Sequence, residues 1–174
     1  MQVIAVVGNK KSGKTTTIEN LVKELTKRGH KLAVIKHISK PDFTIDTVGK
    51  DTWKFARAGA KTIISVADNE IAKIEKIQFE KVSLEELLKR CEKCELVIIE
   101  GLKKLVSTKK NISKIVVTKS IQEVEKALES FRPIIAFSGP YTSNNSNLKI
   151  PYANGLANPQ KLADIVEFSL KKSN

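Results

Sequence analysis

Gly8-Asn9-Lys10-Lys11-Ser12-Gly13-Lys14-Thr15 fits the spacing of a glycine, four residues, then Gly-Lys-Ser/Thr, and what flanks it narrows the architectures open to the chain. Val3-Ile4-Ala5-Val6-Val7 precedes it, a short apolar run rich in β-branched residues, which predicts a strand buried on both faces of a parallel sheet. Ile18, Leu21, Val22 and Leu25 follow at helical spacing, with Gly29 as the stop. Glycine at 8 and 13 allows backbone geometries that a side chain forbids and lets the chain approach an anion closely. The amides of this P-loop, with a helix N-terminus behind them, then surround phosphate oxygens with partial positive charge. Lys14 would reach the terminal phosphates, the Thr15 hydroxyl suits Mg²⁺, and Thr16 can hydrogen-bond a further phosphate oxygen. A chance glycine- and lysine-containing turn is the competing explanation, and the strand-turn-helix context weighs against it.

A chain of 174 residues suits one α/β domain with a full core, so residues 1–174 are expected to form a single nucleotide-binding domain. Its 41% hydrophobic and 29% charged content is that of a globular protein. No apolar run approaches the roughly 20 residues needed to span a bilayer. The first residues enter a strand rather than a secretion signal, which leads to the expectation of a cytoplasmic protein without membrane attachment.

The net charge of +12 invites a nucleic-acid reading. The lysines, however, are scattered among glutamates, arginine occurs only at 28, 57, 90 and 132, and aromatics reach 5% without a stacking pattern. A charged solvated surface is the better explanation, with attraction of an anionic substrate or acidic partner also compatible. Cys91-Glu92-Lys93-Cys94 lacks the further ligands of a structural zinc site and lies between a helix and a strand. Two partly buried thiols are expected there.

Leu32-Ala33-Val34-Ile35 reads as a second buried strand that delivers Lys36 and His37 to the ligand-binding edge of the sheet, where His37 serves either a ligand or the fold; His30 reads as structural. Asp42 and Asp46 fall in a loop, as turn caps or as carboxylates for Mg²⁺, and Lys50, Lys54 and Arg57 mark the exposed side of a short helix over 51–58. Strands over 62–66 and 70–77 predict a half-exposed hairpin of the kind that pairs between subunits, and Ser83 caps the next helix. Leu96-Val97-Ile98-Ile99-Glu100-Gly101 is the second chemical landmark. An acid at the tip of a central strand is the form of a Walker B element, because Mg²⁺ between phosphates needs an anionic partner. The Gly101 amide and Lys103 or Lys104 are further candidates for phosphate contact. Residues 107–112 read as a loop, 114–118 and 133–137 as strands, 121–130 and 159–170 as helices, and 138–147 as a polar loop beyond a strand tip. The sum is a three-layer α/β/α P-loop NTPase fold with a mostly parallel central sheet.

With Gly8 to Thr15, Ile35-Lys36-His37, Asp46-Thr47-Val48-Gly49-Lys50-Asp51-Thr52-Trp53, Arg57-Ala58-Gly59-Ala60 and Val97-Ile98-Ile99-Glu100-Gly101-Leu102-Lys103 in this order, the first 120 or so residues resemble the MobB family. The resemblance implies a GTP-binding adapter of molybdopterin guanine dinucleotide synthesis. Such an adapter hydrolyses GTP weakly, acts as a homodimer, and works beside the molybdenum cofactor guanylyltransferase and molybdopterin. It implies that Gly8, Asn9, Lys10, Lys11, Ser12, Gly13, Lys14, Thr15 and Thr16 hold the nucleotide. Lys14 and Glu100 would then serve the chemistry, and Thr15, Glu100 and Asp46 the Mg²⁺ ion. GTPases commonly read guanine with Asn/Thr-Lys-x-Asp; here Thr118-Lys119-Ser120 is followed by Ile121, so the residues themselves leave ATP open. A P-loop small-molecule kinase is the main alternative, opposed by the lack of an arginine cluster for a lid, and a nucleic-acid-binding NTPase is the second.

Overall fold

The structure is a computed structural model, and it describes residues 1–40, 42–140 and 149–171. The chain divides into two compact units, residues 1–37 with 87–174 and residues 38–86.

The first unit is built on five parallel strands, β1 (Gln2–Gly8), β2 (Leu32–Lys36), β5 (Leu96–Glu100), β6 (Ser113–Val117) and β7 (Ile134–Ser138), in the order β2-β5-β1-β6-β7. The register sets Val6 beside Glu100 on one side and beside Ile115 on the other, so the tip of β1 lies between the tips of β5 and β6. From β1 the chain moves outward to β2, and from β6 it moves the opposite way to β7. Right-handed crossovers in opposed directions put their helices on opposite faces and open a crevice at the carboxyl edge beside β1.

One layer is formed by α1 (Lys14–Lys27) and α6 (Pro159–Lys171), whose Ile18, Leu21, Leu25, Leu162 and Val166 pack in one cluster with Ile4, Val6, Ile98 and Ile115. The alternate strand residues Ala5, Val7, Val97, Ile99 and Val116 are equally buried and point the other way. Helices α4 (Lys103–Val106) and α5 (Ile121–Ser130) contribute the buried Val106, Val124 and Ala127. The expected strands and long helices thus form within a residue or two of their predicted limits. One expectation needs correction. Strand β2 is expected to be buried, but it is the edge strand and Val34 stays 45% exposed, because β5 inserts between it and β1. Helix α4, four residues long, carries too little periodicity to be seen in the sequence.

An ion-pair cluster ties α1 to α6. Arg28 donates to Glu24 (2.9 Å), Asp164 (2.7 Å) and Glu167 (2.8 Å), while the His30 ring lies 2.7 Å from Glu95 and 2.9 Å from Glu167. The Glu167 contact first, and the Glu95 carboxylate with it, raise the His30 pKa above its usual value against a smaller opposing effect of burial. A histidine whose folded pKa is raised adds stability that is complete below about pH 6.5 and vanishes as pH climbs through the raised value. His30→Phe is therefore expected to lose about 1 kcal/mol relative to the parent at pH 6 and less at pH 8.5 in urea unfolding. An equal difference at both pH values would show that the imidazolium contributes nothing.

The second unit holds α2 (Asp51–Arg57) and an antiparallel hairpin of β3 (Thr62–Val66) and β4 (Ile71–Glu75), with Ile63 opposite Ile74 and Val66 opposite Ile71. Helix α2 packs on β3, Ile63 is buried, and the other hairpin face leaves Ile64, Val66 and Ile71 at 59–73% exposure. Arg57 stacks over Trp53 and Lys54 pairs with Asp51, so two of the three cations noted on this helix have partners within it. Ser83 and Glu86 exchange hydrogen bonds as a capping box ahead of α3 (Leu84–Lys89). Cys91 and Cys94 are free and half-buried; burial first, and the neighbouring Cys94, push the Cys91 thiol up, away from thiolate chemistry. Most of the polar loop over 138–147 lies outside the described residues.

Candidate nucleotide site

The loop between β1 and α1 is forced by its glycines. A Cβ on Gly8 would stand 2.3 Å from the Val117 carbonyl oxygen on the neighbouring strand, which no side chain survives. Gly13 takes the left-handed conformation (φ 93°) and begins α1 without a side-chain cap. The first turn of α1 carries no acidic residue either. Its amides are thus left for an outside anion, and the helix dipole favours one there.

Lys14 Nζ donates to the Asn9 carbonyl at 2.6 Å, so the ammonium folds back over its own loop. Partial burial lowers its pKa most; Glu100 opposes this, and the nearby Lys103 and Lys36 add to it. The Ser12 hydroxyl is buried beneath the loop with no hydrogen-bond partner, as is that of Thr17 in the first turn of the helix. Lys10, Lys11 and Thr16 are exposed on the loop and helix start.

Strand β5 brings Glu100 to this turn. Glu100 Oε1 accepts from Thr15 Oγ1 at 3.0 Å, and Lys36 from the tip of β2 lies 3.1 Å from Oε2 and 3.3 Å from Thr15 Oγ1. The parallel pairing of Lys36 with Glu100 explains this: three neighbouring strand tips converge. The oxygen pair fits a magnesium ion, since an octahedron with bonds of about 2.1 Å has adjacent ligand oxygens about 3.0 Å apart. Among the described residues no cluster of three or more His, Cys, Asp or Glu could hold a metal. An ion here would take its remaining ligands from phosphate and water, as Mg²⁺ does.

The Gly101 amide donates to the Val6 carbonyl at 3.2 Å, which commits it to the sheet rather than to a phosphate. His37 bonds the Glu100 carbonyl through its backbone amide. Asp46 belongs to the second unit, where Oδ1 accepts from Thr52 Oγ1 (2.7 Å) and the Thr47 amide (2.9 Å), while Oδ2 is buried with no hydrogen-bond partner. Sequence reading missed the return segment around Gly155. The Gly155 amide donates to Ser138 Oγ and its carbonyl accepts from Asn20, and a Cβ there would meet Thr17 at 2.6 Å. A small residue after a strand tip was the available signal, too common to be specific.

A family profile described as molybdopterin guanine dinucleotide synthesis protein B matches residues 3–138. The chain belongs to the MobB family. A Haemophilus influenzae molybdopterin-guanine dinucleotide biosynthesis adapter protein is 31% identical over 126 residues, 71% of this chain and 70% of that one. A Methanocaldococcus jannaschii relative, provisionally named as such an adapter, is 39% identical over 121 residues. That match takes in 68% of this chain, which spans only about half (48%) of the relative. The crystal structure of a molybdopterin-guanine biosynthesis protein B superposes with a TM-score of 0.74 at 24% identity, covering 97% of this chain and 99% of the other, which shows a common fold.

In this MobB chain the Thr118-Lys119-Ser120 segment acts as a helix start. Ser120 Oγ caps α5 by accepting from the Glu123 amide (3.3 Å), and Glu123 accepts from the Lys119 amide (2.7 Å) and from Asn9 Nδ2 (2.9 Å). Partial burial alone would raise the Glu123 pKa; the Asn9 and Lys119 hydrogen bonds and the Lys119 and Lys103 charges lower it overall. Glu100→Gln keeps the shape of the Thr15 pair and removes the charge. It is expected to raise the Mg²⁺ concentration for half-maximal nucleotide binding by about tenfold. A shift under about twofold in a magnesium titration would remove Glu100 from the metal shell.

Proposed function

We propose that the chain binds Mg²⁺-GTP at the β1-α1 turn and acts as an adapter in molybdopterin guanine dinucleotide synthesis. The carrying observation is the 3.0 Å approach of Thr15 Oγ1 to Glu100 Oε1 at the uncapped start of α1. Loop amides and Lys14 hold the phosphates, and Thr15 and Glu100 hold the ion. When bound, Mg²⁺ offsets charge on the phosphate oxygens. Lys14 exchanges the Asn9 carbonyl for phosphate, and Lys36 pairs with the Glu100 carboxylate. In the first unit Arg28 is spent on Glu24, Asp164 and Glu167, which supports slow hydrolysis without an arginine finger and a role in presenting nucleotide to a guanylyltransferase. Preference for GTP over ATP follows the family. The exposed Ile64, Val66 and Ile71 face supports pairing of two copies through the hairpin, and no described helix is long and apolar enough to cross a membrane.

Calorimetry with Mg²⁺-GTP and Mg²⁺-ATP, followed by phosphate-release assays with and without the guanylyltransferase, tests this reading. GTP uptake with slow release is the expected result. Absence of nucleotide uptake, or stoichiometric phosphoryl transfer to a metabolite, would overturn it.

A further inference from the structure

A cavity of about 420 Å³ lies between α4 and α5, against the tip of β6. It meets the P-loop only at Gly8 and Asn9, and none of Lys14, Thr15, Lys36 and Glu100 lines it. It is separate from the nucleotide cradle yet shares a wall with it.

Its chemistry is divided. Val116, Val117, Ala127 and Phe131 supply apolar surface, all of them buried in the fold. Lys103, Lys104 and Lys126 supply three cations whose side chains are exposed. Glu123, the only acid lining it among the described residues, is already spent on Asn9 and the Lys119 amide, so it offsets one of the three charges and offers a ligand little else. Thr118 also lines the cavity, is 1% exposed, and has a hydroxyl that is buried with no hydrogen-bond partner. Leaving such a hydroxyl unpaired costs about 1–3 kcal/mol, so a ligand that bonds it recovers affinity. The volume lies in the range of small-molecule sites.

We propose that this cavity is a second ligand site, which takes a small flat aromatic or heterocyclic monophosphate. The ring rests on the Val116, Ala127 and Phe131 surface, the phosphate dianion is held by the Lys103, Lys104 and Lys126 ammonium groups, and the Thr118 hydroxyl meets a polar ring atom or phosphate oxygen. Asn9 connects the two sites, because its side chain holds Glu123 at one wall of the cavity while its carbonyl accepts from Lys14.

1-Naphthyl phosphate, followed by its own fluorescence, tests the site on the full chain, alone and with saturating Mg²⁺-GTP. The parent is expected to bind it at least about tenfold more tightly than 1-naphthol or inorganic phosphate, since only the ester uses both halves of the cavity. Saturating Mg²⁺-GTP should leave the number of bound naphthyl groups unchanged. Lys126→Glu should weaken binding by about tenfold or more with Mg²⁺-GTP affinity preserved, and Thr118→Val by about threefold to tenfold with a melting temperature equal to or above the parent's. Displacement by Mg²⁺-GTP would assign the probe to the P-loop and overturn the proposal. So would an insensitive Lys126→Glu variant or the lack of saturable binding at millimolar probe. Nucleotide binding is read out separately, so its failure would not be mistaken for failure of this site.

Discussion

Lys14→Ala is expected to weaken Mg²⁺-GTP binding by about two orders of magnitude, measured by calorimetry, with little change in thermal stability. Charge-assisted hydrogen bonds contribute about 1.5–3 kcal/mol each, and a lysine placed over a phosphate chain makes more than one. Part of this is offset, because Lys14 gives up its 2.6 Å bond to the Asn9 carbonyl on binding. The ammonium is partly desolvated and near Lys103 and Lys36, so the fold by itself gains little from its charge. That is why its removal should spare stability: the residue carries a local electrostatic cost that Glu100 offsets in part and a bound phosphate would relieve further. Affinity within about threefold of the parent would place the phosphates elsewhere, and a large loss of stability would make the variant a folding defect.

The second large effect concerns a residue far from any chemistry. Lys114, on β6, is fully buried, and its Nζ donates to the carbonyls of Lys109 and Arg132, both at 2.5 Å. It ties the turn before β6 to the turn before β7. Lys114→Ala removes the buried Cγ, Cδ and Cε with the amine and strands two carbonyl acceptors, for a loss of about 3–5 kcal/mol in urea unfolding. A loss below about 1 kcal/mol would mean that water replaces the ammonium fully. Burial pushes the Lys114 pKa down to about 8, and a neutral amine still has two N–H groups for the two carbonyls. The folded pKa lies below the unfolded one, so between about pH 8 and 10.5 the unfolded chain binds the extra proton and stability rises with pH. Lys114→Met, which keeps the stem without the titration, should lose that rise.

Much of the candidate site could be read directly from the chain. The P-loop spacing, its preceding strand and following helix, and an acid ending an apolar run at Glu100 each follow from local pattern, because phosphate and magnesium restrict which residues can serve. Lys114 shows where that reasoning stops. In Lys114-Ile115-Val116-Val117 a lysine at the start of a strand reads as solvated, and nothing local says that a turn 5 residues before it and another 18 residues after it close over it. The edge position of β2 was hidden for the same reason, since an apolar run looks alike in a central strand and in an edge strand whose outer side is only half covered.

The amino-acid order alone determined the phosphate-binding turn, the alternation of strands and helices, and the family. These depend on contacts between residues close in the chain, or on motifs whose chemistry is carried by residue type. Tertiary structure decided the order of the strands and with it the company each strand tip keeps. It brought Lys36 and Thr15 together at the Glu100 carboxylate, joined Asn9 to Glu123, and opened a lysine-rimmed cavity beside the loop. Those contacts span up to 114 residues of chain, and only the packing of the sheet fixes which side chains meet across such a separation.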